Sequence, residues 1–191
     1  MCPKSPEQFE VVRQQSRRLI LDAALRLFAN EGYHAVSVSK IATEAGVSKG
    51  LMYNYFASKD ALLKGIIDDA LEQAESEFTW PAEASPKEQL SATIDYVFLA
   101  LEQHKTMHRL LMALTIQMHE FDFIHDIALA KLNQYKALFT DLFSKQGYDD
   151  PEGEALILSA LFDGISLQYM VLDSDYDLNA IKNSLTKRYL T

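Results

Sequence analysis

All five prolines of this chain (Pro3, Pro6, Pro81, Pro86 and Pro151) stand at the edges of apolar-periodic runs, and none falls inside one. A proline within a helix removes a hydrogen bond and clashes with the preceding turn, so this placement leaves long stretches free to be helical. Their spacing agrees. Leu19, Ile20, Ala23, Ala24, Leu27 and Phe28 recur three and four apart, as do Leu62, Leu63, Ile66, Ile67, Ala70 and Leu71. No run alternates polar and apolar residues as a half-buried strand would, and there is no internal repeat. With only 7 glycines among 191 residues, a turn-rich β-sandwich is disfavoured. The chain reads as all-α, with about nine helices.

Boundary residues bracket the helices one by one. Ser5 and Pro6 open the first, and Gly32 closes it. Ser37 caps a short second helix that ends at Gly46, and Ser48 caps a third carrying Leu51, Met52, Tyr53 and Phe56. Ser58 starts a longer helix that Trp80 and Pro81 end. Ser85 and Glu88 then form a capping box around Pro86. Helical runs follow over 105–119, over 124–145 with Gly147 beyond, from Asp150-Pro151 to about 172, and from Asp177 to about 190.

The charge is uneven. Residues 1–59 hold eight basic and five acidic side chains, net +3, whereas residues 60–191 hold 10 basic and 22 acidic, net −12. A small basic head on an acidic body suggests that only the head approaches a polyanion. The domains are therefore expected at 1–59 and 60–191. One cysteine, Cys2, excludes an intrachain disulfide and a multi-thiolate zinc site. No basic-then-apolar leader opens the chain, and the apolar run 155–172 is interrupted by Ser159, Asp163, Ser166 and Gln168. The expectation is a cytoplasmic protein without a membrane span.

The segment 37–56, SVSKIATEAGVSKGLMYNYF, carries the most chemical information. Two short helices meet at Ala45-Gly46-Val47, where small residues permit a close crossing and Gly46 supplies a left-handed turn. Ile41, Ala42, Val47 and Phe56 form the side to be buried. Lys49, Gly50, Tyr53 and Tyr55 form the opposite side, which suits a DNA surface as a helix-turn-helix would. Taken singly, the tyrosines fit half-buried packing equally well, and Lys49 and Lys59 fit solvated charges.

Taken together, Gly32-Tyr33, Ser37-Val38, Ile41-Ala42, Ala45-Gly46-Val47-Ser48, Gly50, Tyr53, Phe56, Ser58-Lys59 and Leu62-Leu63 resemble the TetR/AcrR family of bacterial transcriptional regulators. The specific match covers about the first third of the chain. The resemblance implies a three-helix DNA-binding head, with 37–56 as its motif, on a helical body that binds an effector and dimerises. It implies that Lys49 reads guanine, that Gly50 lets the backbone approach the bases, and that Leu51 meets a thymine methyl. It also implies that Tyr53, Tyr55 and Lys59 contact phosphates, with the Ser37 and Ser48 hydroxyls facing them. The function so implied is a homodimeric repressor on a palindromic duplex operator, released by a small apolar or amphipathic effector.

In the body, residues 155–172 are apolar on nearly every side, so both faces of that helix need covering. Leu161, Gly164, Ile165 and, on the last helix, Leu185 are the expected dimer seam. Tyr96, Met107, Met112, Phe121 and Tyr169 are large, adaptable side chains suited to lining an effector cavity, although the same residue types also build ordinary cores. Two other readings compete: a dimeric DNA-binding protein with no effector, and a helical metal-dependent hydrolase using His104, His108, His119 and His125. The second is weak, because His104-Lys105-Thr106-Met107-His108 lacks the glutamate of a zinc-protease helix. No nucleophile elbow, phosphate loop or dinucleotide fingerprint is present. Neither a catalytic residue, a metal nor a cofactor is expected.

Overall fold

Side-chain caps set where several helices of this protein begin. In the computed structural model, which describes residues 6–80 and 83–190, Ser37 accepts a hydrogen bond from the Lys40 amide at 3.2 Å. Ser48 does the same for Leu51 at 3.1 Å, and Ser58 for Ala61 at 3.0 Å. Each satisfies an amide that the first helical turn leaves without a partner. Ser5 and Pro81 lie outside the described residues. The chain divides into two compact units, 1–76 and 77–191.

The first unit holds α1 (Pro6–Glu31), α2 (Val38–Glu44), α3 (Lys49–Tyr55) and α4 (Lys59–Glu77). The sequence sets the domain division at 59/60; the units divide at 76/77, so α4 up to Ser76 packs with the head. Leu62, Leu63, Ile66 and Ile67 of α4 are buried, as are Ile20, Leu21, Ala24 and Phe28 of α1. The Arg17 and Arg18 guanidiniums both donate to Asp69, at 3.3 and 2.7 Å, tying α1 to α4 by charge as well as by packing. At the α2–α3 turn Gly46 has φ +67° and the Val47 amide returns to the Ala42 carbonyl at 2.9 Å. That pairing closes α2 in the left-handed manner only glycine adopts cheaply.

The second unit holds α5 (Pro86–Gln103), α6 (Lys105–Ile116), α7 (Asp122–Lys145), α8 (Pro151–Leu172) and α9 (Leu178–Leu190), with single 3₁₀ turns before α7 and α9. No strand occurs among the described residues. Ser85 and Glu88 cap α5 reciprocally, as the sequence predicts. Asp150 caps α8 through the Gly153 amide at 2.9 Å. α7 and α8 pair along their length, and α5 packs on α7 and α9. Leu90, Ile94, Phe98 and Leu101 of α5 meet Phe139, Leu142 and Phe143 of α7 and Ala155, Leu158 and Phe162 of α8 in one core.

Candidate nucleic-acid interface

The faces of α3 are sharply different. Met52 is buried, and Phe56, the residue that ends the helix, is buried with it; Ile41 and Ala42 of α2 complete that inner side. Lys49 and Gly50 are exposed, Tyr53 is 47% exposed, and Leu51 and Tyr55 are half-buried. Ser37 and Ser48 are exposed at the starts of their helices while serving as caps. The outer side of a seven-residue helix thus offers a lysine, a bare backbone position and a tyrosine, set on a rigid apolar base.

Gly50 is informative in its own right. A Cβ built there would meet nothing within 4 Å. The fold itself therefore has no need of glycine at this position, while glycine inside a helix costs about 1 kcal/mol relative to alanine. An uncrowded glycine on an exposed helix face suits the close approach of another molecule's surface to the backbone.

Lys59 sits at the start of α4, and its surroundings are specific. Its ammonium lies 4.2 Å from the centre of the Tyr33 ring and 5.9 Å from that of Phe28, and donates to the His34 carbonyl at 3.4 Å. Burial lowers the Lys59 pKa, and the adjacent Asp60 opposes that shift. The Tyr33 hydroxyl donates to Asp60. Burial first, then that hydrogen bond and the charge of Asp60, push the tyrosine well above its ordinary range. Neither this group nor the Arg17–Arg18–Asp69 pairing was legible locally, because each joins residues more than 20 positions apart.

In the body, the five residues expected to line an effector cavity fall into different surroundings. Tyr96 packs on Phe78 with ring centres 4.7 Å apart, and Phe78 packs on Trp80. Tyr169 lies near Tyr176, with the Lys105 ammonium 5.1 Å from its ring. Met107 and Met112 are half-buried on α6, and Phe121 is buried at the start of α7.

The dimer residues also separate. Leu161 is 37% exposed, and a Cβ on Gly164 would meet nothing within 4 Å. Ile165 and Leu185, which the sequence sets on the seam, are turned into the unit's own core instead. The reason is geometric: α8 is apolar all round, and Ala155, Leu158, Phe162 and Ile165 form its inner side. For α9 the exposed side is polar, with Asn183, Ser184, Lys187 and Arg188. Outward positions on α8 include Leu156, Ala160, Asp163 and Leu167, and among them runs a row of Ile157, Leu161, the half-buried Gly164, Gln168 and Val171, spaced four, three, four and three apart. That is the spacing of a helix–helix seam. By length and mean hydropathy, 1.7, α8 is also apolar enough to cross a membrane. An exposed apolar row of this kind raises hydropathy without requiring lipid.

The hydrolase reading finds no support. His104 pairs with Glu77 at 3.4 Å, and burial disfavours the charged form of His108. Among the described residues no three histidine, cysteine or acidic side chains gather as a metal site.

Comparison with known proteins points to DNA-binding regulators. Residues 20–66 match the family model described as bacterial regulatory proteins, tetR family. Over 177 residues the chain is 28% identical to the fatty acid metabolism regulator protein of Bacillus subtilis (strain 168), covering 87% of this chain and 89% of that protein. A TetR transcription regulator from Haloarcula marismortui ATCC 43049 superposes with a TM-score of 0.79 at 18% identity, over 92% of this chain and 97% of that one. A Clostridium perfringens protein described as a fatty acid metabolism regulator gives 0.75 at 24% identity, over 90% and 96% of the two chains. At these identities the two structures establish a common all-α fold.

Proposed function

The chain belongs to the TetR/AcrR family of DNA-binding transcriptional regulators, which are not enzymes, and from that premise we propose that it is a cytoplasmic homodimeric repressor released from its operator by a small apolar or amphipathic effector. The observation that carries the DNA-binding part is α3: a Ser48-capped helix, anchored by Met52 and Phe56, with Lys49, Gly50 and Tyr53 outward. In this reading Lys49 donates to guanine O6 and N7, and Gly50 and Leu51 lie against the bases. Tyr53, Tyr55 and Lys59, with the Ser37 and Ser48 helix starts, meet phosphates. Selection from randomised duplexes, followed by footprinting, tests it. A two-fold symmetric site with half-sites about one helical turn apart is the expected outcome. Recovery of no enriched sequence would overturn it.

The dimer is proposed through α8. The Ile157–Leu161–Gly164–Gln168–Val171 row supports it, since a row of that spacing left in water is an unfilled partner surface, and Gly164 permits close approach at its middle. A two-fold dimer also matches the symmetry of a palindromic operator.

An effector site in residues 77–191 is supported by relatives named for fatty acid metabolism and by the half-buried Tyr96, Met107, Met112 and Tyr169 with Phe121. Coupling between ligand and DNA sites is typically about 1–3 kcal/mol, so an effector should weaken operator binding roughly 5–150-fold, and operator should weaken effector binding by the same factor. Titrating long-chain acyl compounds against free protein and against the protein–operator complex measures both sides. Identical dissociation constants in the two titrations would leave the effector-free DNA-binding protein as the better reading.

A further inference from the structure

We propose that Tyr33 is the positioning residue for the Lys59 charge: its ring seats the ammonium, and its hydroxyl occupies the Asp60 carboxylate that would otherwise neutralise it. The inference rests on the reading of Lys59 as a phosphate contact and adds a residue to it. Three observations carry it. The ammonium lies over the Tyr33 face at 4.2 Å, well inside the roughly 6 Å reach of a cation–π contact. The His34 carbonyl holds the same nitrogen from a second side at 3.4 Å. The Tyr33 hydroxyl donates to Asp60, the residue adjacent to Lys59 in sequence.

Each contact answers a problem that a phosphate-binding lysine faces. A free lysine carries about 2 kcal/mol of rotamer entropy, which must be given up when it is fixed on a phosphate. A seated lysine has surrendered part of that already, and partial burial has removed some of its water. The neighbouring carboxylate is a built-in competitor, since an aspartate beside the lysine can pair with it in place of DNA. A hydroxyl that donates to Asp60 gives the carboxylate another partner. Phenylalanine would fill the same apolar space against Phe28, whose ring centre is 5.1 Å away, but would leave Asp60 to the lysine. Tyrosine serves both needs in one side chain.

The test is a double-mutant cycle on the full-length protein, using a fluorescein-labelled duplex of mixed sequence across a salt series. Lys59→Ala should weaken binding several-fold and reduce the salt slope by about one per protomer. Tyr33→Phe, which keeps the ring, should lower affinity and slope part of the way in the wild-type background. In the Lys59→Ala background it should change neither by more than about twofold, because nothing is left to position. Tyr33→Phe/Asp60→Asn should recover more affinity than Asp60→Asn adds to wild type. A purely structural role for Tyr33 would lower the melting temperature and cost the same factor in both backgrounds. Losses that multiply, or a Tyr33→Phe protein with unaltered slope, would overturn the proposal. Absence of duplex binding by the wild type would instead sink the regulator reading beneath it.

Discussion

The ring edge of Phe56 stands 2.9 Å from the point where a Cβ on Gly65 would lie. Phe56 ends α3 and is buried, and the missing side chain of Gly65 leaves α4 room for that ring. Leu21 of α1 lines the same gap at 3.6 Å. Gly65→Ala gains about 1 kcal/mol of helix propensity but overpacks the gap, which typically costs about 1–3 kcal/mol, so a net loss is expected. Urea unfolding of the variant measures it. A stabilised variant would show that the ring turns aside freely.

Lys49 should act on base choice rather than on affinity in general. Lys49→Ala is expected to cost about 1–3 kcal/mol at one base position of the operator and to relax the preference there. Binding to a panel of single-base operator variants reads this directly. An equal loss on every variant would reassign Lys49 to the phosphates.

Charge on α8 should have opposite consequences on its two faces. Leu161→Glu puts a carboxylate on the outward row, and the expected product is a folded monomer by sedimentation. Ile165→Glu buries an unpaired charge in the body's own core and should prevent folding. A wild-type protein that sediments as a monomer at micromolar concentration and above would refute the seam.

His108 should make the body acid-sensitive. Burial, with neighbouring His104 adding to it and a hydrogen bond to the Ala100 backbone opposing it, holds its pKa below the ordinary 6.5. Below 6.5 the unfolded chain takes up this proton while the folded one does not, so stability is lost as pH falls from there towards the folded-state pKa. Above 6.5 both states are neutral and the contribution is constant. Melting temperatures from pH 7.5 downward should therefore fall less steeply for His108→Gln than for wild type. Parallel curves would exclude the histidine as the cause.

Much of this structure was legible because helix ends are written locally. Ser37, Ser48, Ser58, Ser85, Asp150 and Asp177 each accept a hydrogen bond from an amide three residues on, which is why reading caps placed the helices closely. Of the side read as buried, Ile41, Ala42 and Phe56 are buried, whereas Val47 is half-buried and Met52, four before Phe56, completes the inner face instead. What stayed hidden depended on which way a uniformly apolar helix turns. Periodicity gives no direction when every face is apolar, so Ile165 could not be told from Leu161. Leu185 lies inward for a related reason: the apolar side of α9 packs on α5 and the body's own core. The Tyr33–Asp60 and Arg18–Asp69 pairs were invisible because long-range pairing leaves no mark on spacing.

The inward and outward rows of α8 have no residue in common. Substitutions in the outward row can therefore accumulate without disturbing the core that holds the body together. For a cell that makes several chains of this architecture, that separation offers a route to insulation. In the proposed α8 dimer, a duplicated gene could stop exchanging subunits with its parent by altering a handful of positions such as Leu161 and Gly164, while both products continue to fold.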